Sequence, residues 1–148
     1  MESNSFAPYN PQHEGLEYTF ETSFGIVYNV YFYPADIIDD LTAYWFGFKV
    51  INDTGTFILD RRVEATIVQI LRDFFTIHNN AVIFVCSTLD GRAAARFRLF
   101  ELWFFRNGSG YEKYDLKQYD MYASLIFRAD YPDKLIAKNI IREMLGIE

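Results

Sequence analysis

The stretch Cys86-Ser87-Thr88-Leu89-Asp90-Gly91-Arg92-Ala93-Ala94-Ala95-Arg96 carries the densest set of groups able to hold an anion. An apolar run ends at Cys86, small hydroxylated residues follow, and a helix is predicted from about Asp90. The start of a helix offers free backbone N–H groups and a partial positive charge, and both favour anions. Arg92 and Arg96 are four residues apart and share a helix face. Ser87 and Thr88 add hydroxyl donors. Ser87, Thr88, Asp90, Arg92 and Arg96 therefore form a candidate pocket for a phosphate or carboxylate. Asp90 also argues the other way: as an N-cap it places its own carboxylate where the anion would sit. Arg92 and Arg96 equally suit ion pairs with acids of a neighbouring strand. Both readings stay open, since the stretch has neither a Walker glycine-lysine loop nor a GxGxxG pattern.

Nucleophilic catalysis needs a base within reach of Ser or Cys. The chain has one cysteine, Cys86, and two histidines, His13 and His78. His13 falls in a polar N-terminal stretch and His78 at a predicted helix end. Cys86 closes an apolar run, where a thiol is usually an inert core residue. No residue is assigned a catalytic role. Two histidines and one cysteine make a poor metal set. The acids Asp36, Asp39 and Asp40 lack the glycine and spacing of a calcium loop and read as caps of a short helix. The expectation is no metal, no cofactor, and an activity that leans away from catalysis.

Past Arg98 the same helix carries Leu99, Phe100, Leu102, Trp103, Phe104 and Phe105, apolar nearly all round. Such a helix is either buried in its own core or lies against another chain. Phe100, Trp103 and Phe104 are the candidate interface residues, because aromatic anchors dominate many protein contacts.

Charge narrows the partners. The chain has 14 basic and 20 acidic residues, a net charge of -6. Residues 1–58 hold eight acids and one base, Lys49, whereas the remainder is near neutral. Nucleic-acid binding draws on neutralised phosphates, so this balance argues against it. The aromatic strands lack interleaved Lys and Arg and read as core rather than a base-stacking platform. No run approaches the length that spans a bilayer, and the first 15 residues lack a signal-like apolar segment. A cytoplasmic location is the default, with a protein partner or self-association ahead of a small anionic ligand.

These residues need elements to position them. Residues 1–15 read as a flexible arm and 16–148 as a single α+β domain. Leu16–Thr22 and Ile26–Tyr33 alternate apolar and polar residues and form a predicted hairpin. Ala43–Ile51 is a third strand. Asp60 caps a helix whose apolar stripe is Val63, Ile67, Ile70, Leu71, Phe74 and Ile77. Ala81–Cys86 is continuously apolar, as in a strand covered on both faces. The second helix stops at Asn107-Gly108-Ser109-Gly110. Two strands, Tyr111–Lys117 and Met121–Arg128, precede a last helix with Ile136, Ile140 and Met144 on one face. The order is β-β-β-α-β-α-β-β-α, a two-layer, mostly antiparallel sheet packed by helices. The 28 aromatic residues (15 Phe, 11 Tyr, 2 Trp) supply its filling.

The pattern Cys86-x-Thr88-x-Asp90-Gly91-Arg92-x-Ala94-Ala95-Arg96-x-Arg98-Leu99-Phe100-x-x-Trp103-Phe104 resembles a family of short uncharacterised bacterial proteins, mainly of the Bacteroidota, that forms a domain of unknown function. The opening Tyr18-x-Phe20-x-Thr22-x-x-Gly25-x-x-Tyr28-x-Val30-x-Phe32 is similar to that family's start. The resemblance spans roughly residues 17–145. It implies a bacterial cytoplasmic origin and a free-standing small domain, and brings no activity, substrate or cofactor. The functional expectation is a non-enzymatic protein-interaction module; the alternative is a domain binding a small anion near Arg92 and Arg96.

Overall fold

The structure, a computed structural model, describes residues 6–35, 43–52, 60–78, 80–86, 93–118, 121–144 and 146. Seven strands form one sheet: β1 (Gln12–Glu14), β2 (Glu17–Glu21), β3 (Val27–Pro34), β4 (Ala43–Val50), β5 (Ala81–Cys86), β6 (Tyr111–Gln118) and β7 (Met121–Arg128). The helices are α1 (Arg61–Ile77), α2 (Ala93–Asn107) and α3 (Lys134–Met144). Strands lie in the order β1-β2-β3-β4-β5-β7-β6. Only β4 and β5 pair in parallel; α1 supplies the crossover that a parallel pair requires. The α+β class and the order of the six predicted strands and three helices match the reading from sequence.

The seventh strand, β1, lies in the stretch expected as a flexible arm. Gly15 adopts φ +60°, open to glycine without a steric cost, and turns the chain so that Glu14 faces Glu17. Tyr9 anchors the preceding residues. Its N–H donates to Thr66 Oγ1 at 2.8 Å and its hydroxyl to Asp60 Oδ2 at 2.5 Å. Its ring stacks on Phe20, and the Arg62 guanidinium covers it at 3.9 Å.

Asp60 is the N-cap of α1, accepting from the Arg62 N–H at 2.9 Å. The buried stripe of α1 is Val63, Ile67, Ile70 and Phe74, joined by Glu64, Thr66 and Phe75. Ile77, expected on that stripe, is exposed. The helix ends there, and the His78 ring takes its place, packing on Phe74 and Tyr44.

Alternation along the strands splits the core in two. Val30, Phe32, Phe46, Val82, Phe84, Cys86 and Ile126 face α1 and α2. Ala43, Ala81, Ile83, Leu116, Ala123, Leu125 and Phe127 face the other way, with Ala137 of α3 among them. Helices therefore cover both faces of the sheet, so over β5 and β7 it is the middle of three layers and not one of the two expected from sequence, because α3 packs on the face opposite α1 and α2. Among the described side chains of α3, Ala137 is buried, whereas Ile136, expected on the apolar face, is half exposed. Ala81 to Phe84 are buried on both faces, as the apolar run predicts, whereas Val85 reaches solvent. Among the described residues no helix is long and apolar enough to cross a membrane.

Candidate functional site: the second helix and its cleft

The anion pocket read from sequence falls largely outside the described residues, which omit Ser87, Thr88, Asp90 and Arg92. Arg96 is described, half-buried on α2 and engaged with a neighbour. It stands near Cys86 at the end of β5. Burial pushes the Cys86 thiol up to about 11, and the Arg96 charge pulls against that shift. The thiol thus stays protonated at neutral pH, the state of a core residue rather than a nucleophile.

The α2 helix has two apolar faces. Ala93, Phe97, Phe100 and Trp103 point into the core. Phe100 packs on Phe84 at 4.4 Å between ring centroids, and Trp103 stacks on Phe48 at 5.5 Å. Phe100 and Trp103, two of the three candidate interface residues, therefore lie in the interior, and Phe104 is half-buried. The outward stripe is Ala95, Arg98, Leu102 and Phe105, spaced three, four and three apart. Phe105 is 87% exposed and Leu102 46%. From sequence, Leu102 and Phe105 are only part of a helix that is apolar nearly all round. The spacing from Ala95 to Phe105 was the signal that separates them from the core-facing set.

The end of α2 is held to α1 by a buried carboxylate. Glu64, 5% exposed, accepts from Asn107 Nδ2 at 2.8 Å. Arg61 Nε at 3.2 Å and Arg106 Nη2 at 3.3 Å neutralise it. The Arg61 contact is ionic only, because Arg61 Nε and Glu64 Oε1 make no hydrogen bond. Asn107 also donates to Trp103 O, closing the last turn of α2. On the opposite flank Lys113 pairs with Asp115 and lies over the Phe97 and Phe104 rings.

Between α1 and α2 an apolar cleft of about 40 Å³ opens beside this junction. Leu71, Phe75, Phe100, Trp103 and Phe104 line it, with Arg72, Asn107 and Gly108 also on its wall. Gly108 is required by the walls themselves: a Cβ there would lie 2.6 Å from Phe104 O and 2.8 Å from the Phe104 ring. The exposed Arg72 donates from Nη2 to the Asn107 carbonyl at 3.0 Å.

Fold and site together define a small α+β protein with a seven-stranded, mostly antiparallel sheet and an apolar helical surface left open to solvent. The chain belongs to the DUF6169 family, a family of unknown function, which it matches over residues 59–133. That span contains α1, β5, α2, β6 and β7, and with them the α2 stripe and the cleft. It is narrower than the resemblance drawn from residues 17–145, and the opening pattern from Tyr18 to Phe32 lies outside it. No curated protein and no solved structure matches the chain.

Proposed function

We propose that this chain is a non-enzymatic protein-interaction module of the bacterial cytoplasm, acting through the outer face of α2. The observation that carries the reading is the exposure of Phe105, with Leu102 one turn away, on a helix whose other face is already core. A single exposed apolar residue is ordinary; an exposed Phe and Leu on one stripe form an anchor pair of the kind that protein contacts desolvate. The partner is either a second copy or another protein. Light scattering on the purified chain at rising concentration separates the two. A mass that doubles and returns to the monomer value in Leu102→Glu/Phe105→Glu supports self-association. A strict monomer removes that branch and leaves a different protein as the partner.

A second reading is a site for a small phosphate- or carboxylate-bearing ligand around Ser87, Thr88, Asp90, Arg92 and Arg96. Its support is that the charge of Arg96, in the first turn of α2, acts on the Cys86 thiol at the end of β5. A thermal-shift panel of nucleotides and carboxylates tests it. If no anion raises the melting temperature, or if Arg92→Ala and Arg96→Ala leave the response unchanged, this reading fails.

A further inference from the structure

We infer that the cleft between α1 and α2 receives one bulky apolar side chain from an acidic segment of a partner protein. The inference goes beyond the outer-face reading: the cleft lies on the α1-facing side of α2, opposite Leu102 and Phe105, and is a second point of contact for a protein partner.

Size sets the first limit. The cleft, at about 40 Å³, exceeds a water site and falls well short of the ~300–1,000 Å³ typical of metabolite pockets. It matches a single inserted side chain. Its walls are aromatic and aliphatic, and the fit selects a Phe or Leu anchor.

Charge sets the second. Among the described residues, the Arg72 guanidinium donates to a neutral carbonyl, that of Asn107, and forms no ion pair with a carboxylate. The neighbouring arginine of α2, Arg106, is already committed to Glu64. A segment bearing Asp or Glu beside its apolar anchor would place a carboxylate against Arg72, where a guanidinium binds it in bidentate fashion. The same argument disfavours Phe105 of a second copy as the anchor. Phe105 shares its stripe with the exposed Arg98, which would bring a cation to Arg72.

The test uses the full chain carrying Trp45→Phe, which leaves Trp103 in the cleft wall as the one indole reporter. Three probes are titrated: acetyl-Glu-Glu-Phe-Glu-Glu-amide, the same peptide with Ala for Phe, and the same peptide with Lys for Glu. The expected result is a saturable change in Trp103 emission with the first peptide, at least tenfold tighter than with either of the others. Arg72→Gln, a surface change, abolishes the preference for Glu over Lys. Val68 of α1 also lines the cleft, and Val68→Phe, which fills it, abolishes the preference for Phe over Ala. No saturable change with the first peptide, or equal binding of all three, overturns the inference. If those titrations fail while a partner is still captured through position 105, the inference falls and the protein-contact reading stands.

Discussion

Phe104 and Phe105 are adjacent in the chain and serve opposite surfaces: Phe104 lines the cleft against α1, and Phe105 stands in solvent on the outside of α2. A helix turns about 100° per residue, so one dipeptide reaches both surfaces. Core and contact surface are thereby built from one aromatic run.

The outward stripe should be separable from stability. Leu102→Glu with Phe105→Glu removes exposed apolar surface outside the buried core. The expected change in unfolding free energy is within about 0.5 kcal/mol, as for surface substitutions generally. Phe100→Ala, by contrast, should cost about 3–5 kcal/mol, because it empties a buried position. Urea denaturation of the two variants checks the difference.

The junction between α1 and α2 depends on Glu64. Glu64→Ala leaves Arg61 and Arg106 without their shared counter-ion and Asn107 Nδ2 with only the Trp103 carbonyl. Both arginines are about a third exposed and can turn to water, which lowers the penalty below that of a fully buried pair. A loss of about 1–3 kcal/mol is expected, together with faster hydrogen exchange at the end of α2. Unchanged exchange there would show that Glu64 is not the clamp.

Tyr9 should matter more than its place near the chain start suggests. Tyr9→Phe deletes the hydroxyl bonded to Asp60 and Ser23. The expected cost is about 1 kcal/mol in urea unfolding. It comes with looser protection of the first turn of α1, because Asp60 must cap that helix without its second partner.

Cys86 provides a pH signature. Burial raises the thiol from 9.0 to about 11, so the folded chain holds the proton more tightly than the unfolded one. That contribution to stability is whole below about pH 9 and is lost as pH rises toward 11. Tyr28 and Tyr31 are raised by burial in the same sense, but from 10.0, and act later in a titration. Melting temperature should therefore fall between pH 9 and 10 in the natural chain, and fall less there in Cys86→Ala. Iodoacetamide should also label the folded chain at pH 8 at least about tenfold more slowly than the unfolded chain.

Much of this architecture is legible without coordinates, for identifiable reasons. Asp60 and the 3.6-residue stripe after it define α1, and the apolar run Ala81–Phe84 defines a strand buried on both faces. Gln12-His13-Glu14 is polar throughout, and pairing at a sheet edge leaves no apolar alternation by which to recognise β1. The faces of α2 are hard to assign because periodicity vanishes where every side is apolar; packing against Phe84 and Phe48 decides it. Ala137 is buried in one cluster with Ala43, Ala81 and Ala123 while Ile136 is exposed, a distinction that no local pattern encodes. Of the proposed anion site, Arg96 alone falls among the described residues.

The most direct test of the central claim is photo-crosslinking through position 105. A benzophenone side chain replaces Phe105 in the full chain, expressed in its host cells, and a second variant carries it at Lys49, an exposed position on β4. The account predicts a discrete crosslinked species from position 105, either a dimer or one defined heteromer, with none from position 49. An absence of adduct at 105, or the same diffuse adducts from both positions, would contradict it.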